Sequence, residues 1–171
     1  MRTGRTITLL AVAALAVAGC GSQKQDSGGG GAEPVQGVVL PPSASDLNVK
    51  PVIPKPQGNP PGTLQVRDVV QGTGKAAESG DKLTVQYVGV SWSTGQEFDS
   101  SWSRGKKPFS FPLGAGQVIP GWDQGLVGMK QGGRRELVIP PNLAYGPQGQ
   151  PPAIAPNETL IFVIDLQKVK K

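Results

Sequence analysis

The chain has 171 residues, with 17 lysines and arginines against 12 aspartates and glutamates, and it contains no histidine. Without imidazole, a Ser-His-Asp triad, a histidine general base and most zinc sites are excluded. The surplus of positive charge is small and the basic residues are scattered among acids, so no nucleic-acid groove is expected.

Residues 1–19 have the features of an export signal. Arg2 and Arg5 precede an apolar run from Ile7 to Ala18, which is too short to span a bilayer as a helix. Small residues then lead directly to Cys20, an arrangement that resembles a bacterial lipobox. The resemblance implies a lipid on the Cys20 thiol that anchors the mature chain to the cell membrane, on the extracytoplasmic side. The alternative is a soluble secreted protein with a chance cysteine.

Residues 20–62 join this cysteine to glycine- and proline-rich sequence, such as Ser27 to Gly31 and Pro41-Pro42, with few large apolar side chains. Because such a composition cannot bury a core, we expect a disordered tether. Its prolines could instead visit the protein's own binding site or serve as ligands of another protein. A spacer is the simpler interpretation.

Residues 63–171 have the pattern of a folded domain built from short strands. Lys82 to Val90 alternates apolar and polar residues, which is typical of a half-buried strand. The same period recurs in Arg135 to Ile139 and in Thr159 to Val169. The side chains expected to face the core are Leu83, Val85, Tyr87, Leu137, Ile139, Leu160, Phe162, Ile164 and Leu166.

One short helix is predicted between these strands. Trp122, Leu126 and Met129 are spaced at i, i+4 and i+7, and Pro120 suits a first helical position. The pair Gly132-Gly133 would end the helix. Since the segment also contains internal glycines, it is a poor helix alone and must be held by close packing against the sheet.

Seven short segments of the domain follow one another in a distinctive order. They are Val85 to Gly89, Phe98 to Ser101, Pro108 to Phe111, Gly114, Val118 to Trp122, Ala144 to Gly146 and Thr159 to Phe162. Their order and spacing resemble the FKBP-type peptidyl-prolyl isomerases over nearly all of residues 63–171. The resemblance implies an α+β fold, in which a curved antiparallel sheet of five or six strands wraps around one short helix and a ligand pocket lies between them.

The resemblance also implies which residues form that pocket. The substrate-binding residues would be Phe109, Val118, Ile119, Trp122, Ile154 and Phe162, and the residues acting on the bound amide would be Tyr87, Phe98, Asp99 and Tyr145. The Ile119 N–H and the Tyr145 hydroxyl would donate to substrate carbonyls. Asp99, next to Tyr87 or Arg104, would polarise and organise the site without transferring a proton, although a purely structural ion pair would explain it too.

The activity implied is cis–trans isomerisation of X-Pro amides in exported proteins, a rotation that requires no nucleophile. No cofactor and no metal are expected, and we expect a monomer. The expected partners are X-Pro segments and, through Cys20, a lipid bilayer, and the family suggests macrolide immunosuppressants as further ligands. The alternative is a non-catalytic module or holdase chaperone that binds proline-containing segments in the same pocket.

Overall fold

The computed structural model describes residues 37–171. The predicted signal peptide 1–19, Cys20 and residues 21–36 lie outside the described residues. Within residues 37–171, no helix is both long and apolar enough to cross a membrane.

A six-stranded antiparallel sheet is the framework of the protein and confirms the predicted fold class. Its strands are β1 (Gln65–Val70), β2 (Lys82–Ser91), β3 (Glu97–Ser100), β4 (Phe109–Pro112), β5 (Arg134–Ile139) and β6 (Leu160–Lys170). Their order is β1-β5-β6-β2-β3. β4 pairs with the start of β2, and β3 pairs with its end. The two short strands therefore flank the middle of β2, where Tyr87 lies.

The side chains predicted to face inward form one core. Successive side chains of a strand point to opposite faces, so the residues with a period of two share one face of β2, β5 and β6. That face packs against the helix, and Leu83, Leu137 and Ile164 have no exposed surface at all. Periodicity alone was sufficient to identify this face.

The predicted helix is present but shorter than expected. α1 spans Pro120–Gly125, with Pro120 in its first turn as predicted. The chain leaves the helical path at Leu126, and Gly128 takes a φ of +75°, a value that suits glycine. Met129 therefore comes from the turn after the helix, and the prediction that it lies on the helix was wrong. It is still buried in the same core.

The prediction of a disordered tether is wrong for residues 37–57, which we call the strap. Val38 and Ile53 of the strap are buried in a second apolar cluster on the face of the sheet opposite α1. The sheet contributes to that cluster Val88, Val90, Val138, Ile161 and Val163. The folded part therefore begins well before residue 63. Few apolar residues are enough here, because the strap only has to cover a sheet face that is already apolar.

A buried arginine fixes the strap to the sheet. Arg134 on β5 has no exposed surface, and its guanidinium donates to the carbonyl oxygens of Ala44 (2.7 Å), Asp46 (3.1 Å) and Val49 (3.1 Å). It also makes a two-pronged ion pair with the Asp165 carboxylate at 2.5 and 2.7 Å. Asp165 thus balances the buried charge of Arg134, and the strap carbonyls accept the guanidinium N–H groups that Asp165 does not.

Candidate active site

A pocket of about 190 Å³ opens between the sheet, α1 and the loop that joins β5 to β6. It is lined by Tyr87, Phe98, Asp99, Phe109, Gln117, Val118, Ile119, Trp122, Tyr145 and Phe162. The structure thus brings together nearly all the residues that the sequence proposed for the site. Gln117 was missed, and the only signal for it was its place beside Val118.

Trp122, in the first turn of α1, forms the centre of an aromatic cluster. Its ring meets Tyr87 and Phe162 edge-on, each with centroids 5.2 Å apart. Phe98 contacts Phe162 in the same manner at 5.5 Å. Perpendicular contacts of this kind are favourable for aromatic rings and hold each in a fixed orientation. The cluster therefore forms a rigid apolar wall around the pocket.

A polar triplet stands at the edge of this wall. The Tyr87 hydroxyl donates to Asp99 Oδ2 at 2.5 Å, and Arg104 Nη2 donates to the same hydroxyl at 2.6 Å. Arg104 Nη1 also donates to Asp99 Oδ1, which in addition accepts the Ser100 N–H at 2.8 Å. Asp99 contacts both of its expected neighbours. Because its carboxylate accepts three hydrogen bonds and also lines the pocket, the geometry fits both an organising and a structural role.

Both tyrosines of the site hold their protons tightly. Burial, and then the hydrogen bond to Asp99, raise the pKa of Tyr87 to about 12. Burial, and then the charge of Asp99, also raise the pKa of Tyr145 above its usual range. Each hydroxyl is therefore a hydrogen-bond donor, and neither is suited to act as a base near neutral pH.

The loop before α1 is held by an aspartate that sequence reasoning missed. Asp123 accepts the backbone N–H of Gly114 at 2.8 Å and that of Gly116 at 3.0 Å. This loop delivers Val118 and Ile119 to the pocket. Among residues 37–171, the Ile119 N–H donates to no other group, so it is available to a ligand.

Ile154 is the predicted site residue that the structure does not bring to the pocket. Its side chain is 2% exposed, packs in the main core and lines a separate cavity. The loop that carries it folds back through the paired hydrogen bonds between Gln150 and Ile154. This fold-back turns Ile154 inward, while Tyr145 of the same loop reaches the pocket as predicted.

No grouping of three or more histidine, cysteine, aspartate or glutamate side chains that could hold a metal ion occurs in residues 37–171. The pocket itself contains one carboxylate, Asp99, which is already paired with Arg104. The fold and the site together define a protein with a small, largely aromatic pocket between a helix and a sheet.

Comparisons with known proteins identify the family. The family model for FKBP-type peptidyl-prolyl cis-trans isomerase matches residues 73–167. The FK506-binding protein of Streptomyces anulatus is 57% identical over 121 residues, which are 70% of this chain and 97% of that protein. A probable FK506-binding protein of Corynebacterium glutamicum is 48% identical over 117 residues, 68% of this chain and 96% of that protein.

Solved structures agree. FkpA from Escherichia coli is 46% identical with a TM-score of 0.57, over 63% of this chain and 48% of that one. AtFKBP13 is 40% identical with a TM-score of 0.58, over 63% of this chain and 93% of that one. The chain belongs to the FKBP-type peptidyl-prolyl cis-trans isomerase family.

Proposed function

We propose that the chain catalyses cis–trans isomerisation of X-Pro amides, with the proline ring held against Trp122. The observation that carries this proposal is the pairing of a rigid aromatic pocket with two donors at its edge. These donors are the Ile119 N–H and the hydroxyl of Tyr145, a side chain that is 36% exposed. The proline ring would pack against the aromatic side chains, and the substrate carbonyls would accept hydrogen bonds from these two donors.

The physical basis is the amide itself. Resonance gives the C–N bond double-bond character, so rotation meets a barrier of about 18–20 kcal/mol and takes roughly tens to hundreds of seconds unaided. The planar amide is more charge-separated than the twisted transition state. A pocket that solvates charge poorly therefore favours twisting. An acceleration of about ten-thousand-fold to a million-fold requires only about 5.5–8 kcal/mol of preferential transition-state binding.

The side chains have separate roles in this proposal. Phe109, Val118, Trp122 and Phe162 exclude water from the proline ring, while Phe98 closes one side. Asp99, fixed by Tyr87 and Arg104, presents a negative edge to the twisting amide and transfers no proton.

The setting of the activity is also a proposal. The resemblance of the residues before Cys20 to a lipobox supports an extracytoplasmic, lipid-anchored protein that acts on X-Pro segments of exported proteins. We expect this protein to be a monomer. Relatives that are named for FK506 support macrolide binding in the same pocket. The parent chain is expected to incorporate labelled palmitate, and a Cys20→Ser chain is expected to incorporate none. A parent that incorporates no label would show that the lipid anchor is wrong.

The catalytic proposal is tested with the full chain on Leu-Pro and Ala-Pro tetrapeptides, after subtraction of the uncatalysed exchange. Tyr145→Phe removes one donor and is expected to lower kcat/KM by about two- to tenfold, since a hydrogen bond contributes roughly 0.5–1.5 kcal/mol. Asp99→Ala is expected to lower it as well. The exposed Glu78 provides a control, Glu78→Gln, that should match the parent. A folded parent with only the background rate would favour the non-catalytic proline-binding module.

A further inference from the structure

A second cavity adjoins the pocket and shares Phe98 with it. Its volume is about 470 Å³, against about 190 Å³ for the pocket. One wall is the turn between β2 and β3 together with Phe98, and the other is the tip of the loop between β5 and β6. It is lined by Ser91, Thr94, Gln96, Glu97, Phe98, residues 151–156 and Glu158. Phe98 therefore lines both spaces.

Hydrogen bonds fix both walls of the second cavity, so its shape is determined by the fold. The Glu158 carboxylate accepts the Ser93 N–H at 2.9 Å and the Ser93 hydroxyl at 2.6 Å, which ties the turn to the loop. The loop tip is closed by the Ile154 N–H, which donates to the Gln150 carbonyl at 2.9 Å. The buried Ile154 side chain supplies the floor.

A polypeptide substrate must continue beyond the residues that enter the pocket. The second cavity shares Phe98 with the pocket that would hold the proline ring, and it is more than twice as large as that pocket. A tetrapeptide ends close to the proline, whereas a longer chain reaches this space. The natural occupant is therefore the segment of substrate that flanks the X-Pro pair.

Charge indicates which segments fit best. The ionisable side chains that line the cavity are both acids, Glu97 and Glu158. Glu158 is 8% exposed and bonded to Ser93, but the Glu97 side chain is 32% exposed and meets one cation, Lys50, at 2.7 Å. Lys50 contacts both Glu97 oxygens and balances one of the two negative charges, so Glu97, Glu158 and Lys50 together carry a net charge of −1. An acidic substrate residue would face this net negative charge, whereas a basic one would be attracted.

We propose that this cavity binds the segment of substrate that flanks the X-Pro pair, and that it favours a lysine or arginine there over an acid. The proposal rests on the proposed isomerase function and adds a preference to it. In this proposal Glu97 determines the preference for basic residues, and Phe98 contacts both the proline and the flanking segment.

The test compares the tetrapeptides with decapeptides of one central Ala-Pro, in which the residues two to four positions away on either side carry lysine, glutamate or alanine. We expect the best-placed lysine peptide to exceed its glutamate counterpart in kcat/KM by about 1.5- to 5-fold, the range of a partly exposed charge pair. The difference should shrink in high salt. Glu97→Gln should reduce it, whereas Glu78→Gln should preserve it.

A second variant tests whether substrate occupies the second cavity, without changing the charge of the cavity. Ala153→Phe fills the cavity from its exposed rim and should lower the ratio of kcat/KM for the alanine decapeptide to that for the tetrapeptide. Equal rates for lysine and glutamate peptides at every position, with tetrapeptide catalysis intact, would overturn this inference and leave the isomerase standing. Absence of catalysis on every peptide would overturn the isomerase and this inference with it.

Discussion

Two glycines determine how closely the pocket floor approaches the sheet. A Cβ on Gly121 would lie 2.4 Å from Ile139 Cγ2, and one on Gly125 would lie 2.7 Å from Leu137 Cδ2. Neither distance is possible without a shift of the neighbour. Glycine lowers the helix propensity of α1, but it allows close packing against the sheet. The helix forms because this packing outweighs the poor propensity.

Gly121→Ala therefore separates packing from propensity. Alanine is the better helix former by about 1 kcal/mol, yet we expect the variant to lose about 1–3 kcal/mol of unfolding free energy through overpacking. Urea unfolding measures the change. Gly62→Ala is the matched control, since a Cβ there meets nothing within 4 Å, and it should change stability by less than about 0.5 kcal/mol. A Gly121→Ala chain as stable as the parent would contradict the close-approach account.

At the scale of elements, the strands were predictable and the strap was not. The apolar period of two in β2, β5 and β6 identifies the face that packs on α1, because that face must exclude water. The strap has no period, and its prolines and polar residues are those of a linker. Its order depends on distant partners, above all Arg134 and the second face of the sheet, and no local pattern reports them.

Adjacent valines test whether the strap belongs to the folded unit. Val38 is 0% exposed and Val39 is 73% exposed. Val38→Ala should therefore cost about 2 kcal/mol of stability, and Val39→Ala should cost less than about 0.5 kcal/mol, as measured by urea unfolding. The two substitutions remove the same atoms and differ only in burial. Equal effects would mean that the strap does not pack in solution as described.

In the site, too, residues marked by short local segments could be predicted, whereas contacts that depend on distant residues or on loop conformation could not. The pocket residues could be predicted because they occur in short segments that resemble a family. Ile154 could not be placed correctly, because its direction depends on how the loop folds back at Gln150. Asp123 was missed since its partners are backbone amides nine and seven positions earlier in a loop without periodicity. Contacts set by loop conformation are the part that the sequence leaves open.

At the scale of the whole molecule, one buried acid links stability to pH. Glu136 on β5 has no exposed surface, and Arg67 Nη2 lies 2.6 Å from its Oε2 in an ion pair outside hydrogen-bond geometry. Burial raises the pKa of Glu136 to about 7 from the ordinary value of 4.5, although Arg67 opposes the shift. At a pH between these two pKa values, Glu136 is therefore protonated in the folded state and ionised in the unfolded state.

Because the pKa is raised in the folded state, this group favours folding at low pH. Its contribution is fully present below about pH 4.5 and is lost as the pH rises through about 7. The raised pKa of Asp165, caused by burial and opposed by Arg134, acts in the same direction. The loss from Glu136 alone is on the order of 3 kcal/mol.

Glu136→Gln cannot titrate and keeps the shape of the side chain. Between about pH 4.5 and about pH 8 the parent should lose more unfolding free energy than Glu136→Gln does. Because both chains contain Asp165, its contribution cancels when the dependence of unfolding free energy on pH is compared between them. Parallel pH curves would show that Glu136 ionises normally inside the fold.

We propose that the pocket lowers the rotational barrier of the X-Pro amide by solvation and hydrogen bonding, without proton transfer. The most direct test is the pH dependence of kcat/KM for an Ala-Pro tetrapeptide, from about pH 6 to about pH 9, in H₂O and in D₂O. Since Tyr87 and Tyr145 have raised pKa values and stay protonated over this range, we predict a flat profile and a solvent isotope effect near one. A bell-shaped profile, or an isotope effect well above one, would contradict the account and indicate general acid–base catalysis.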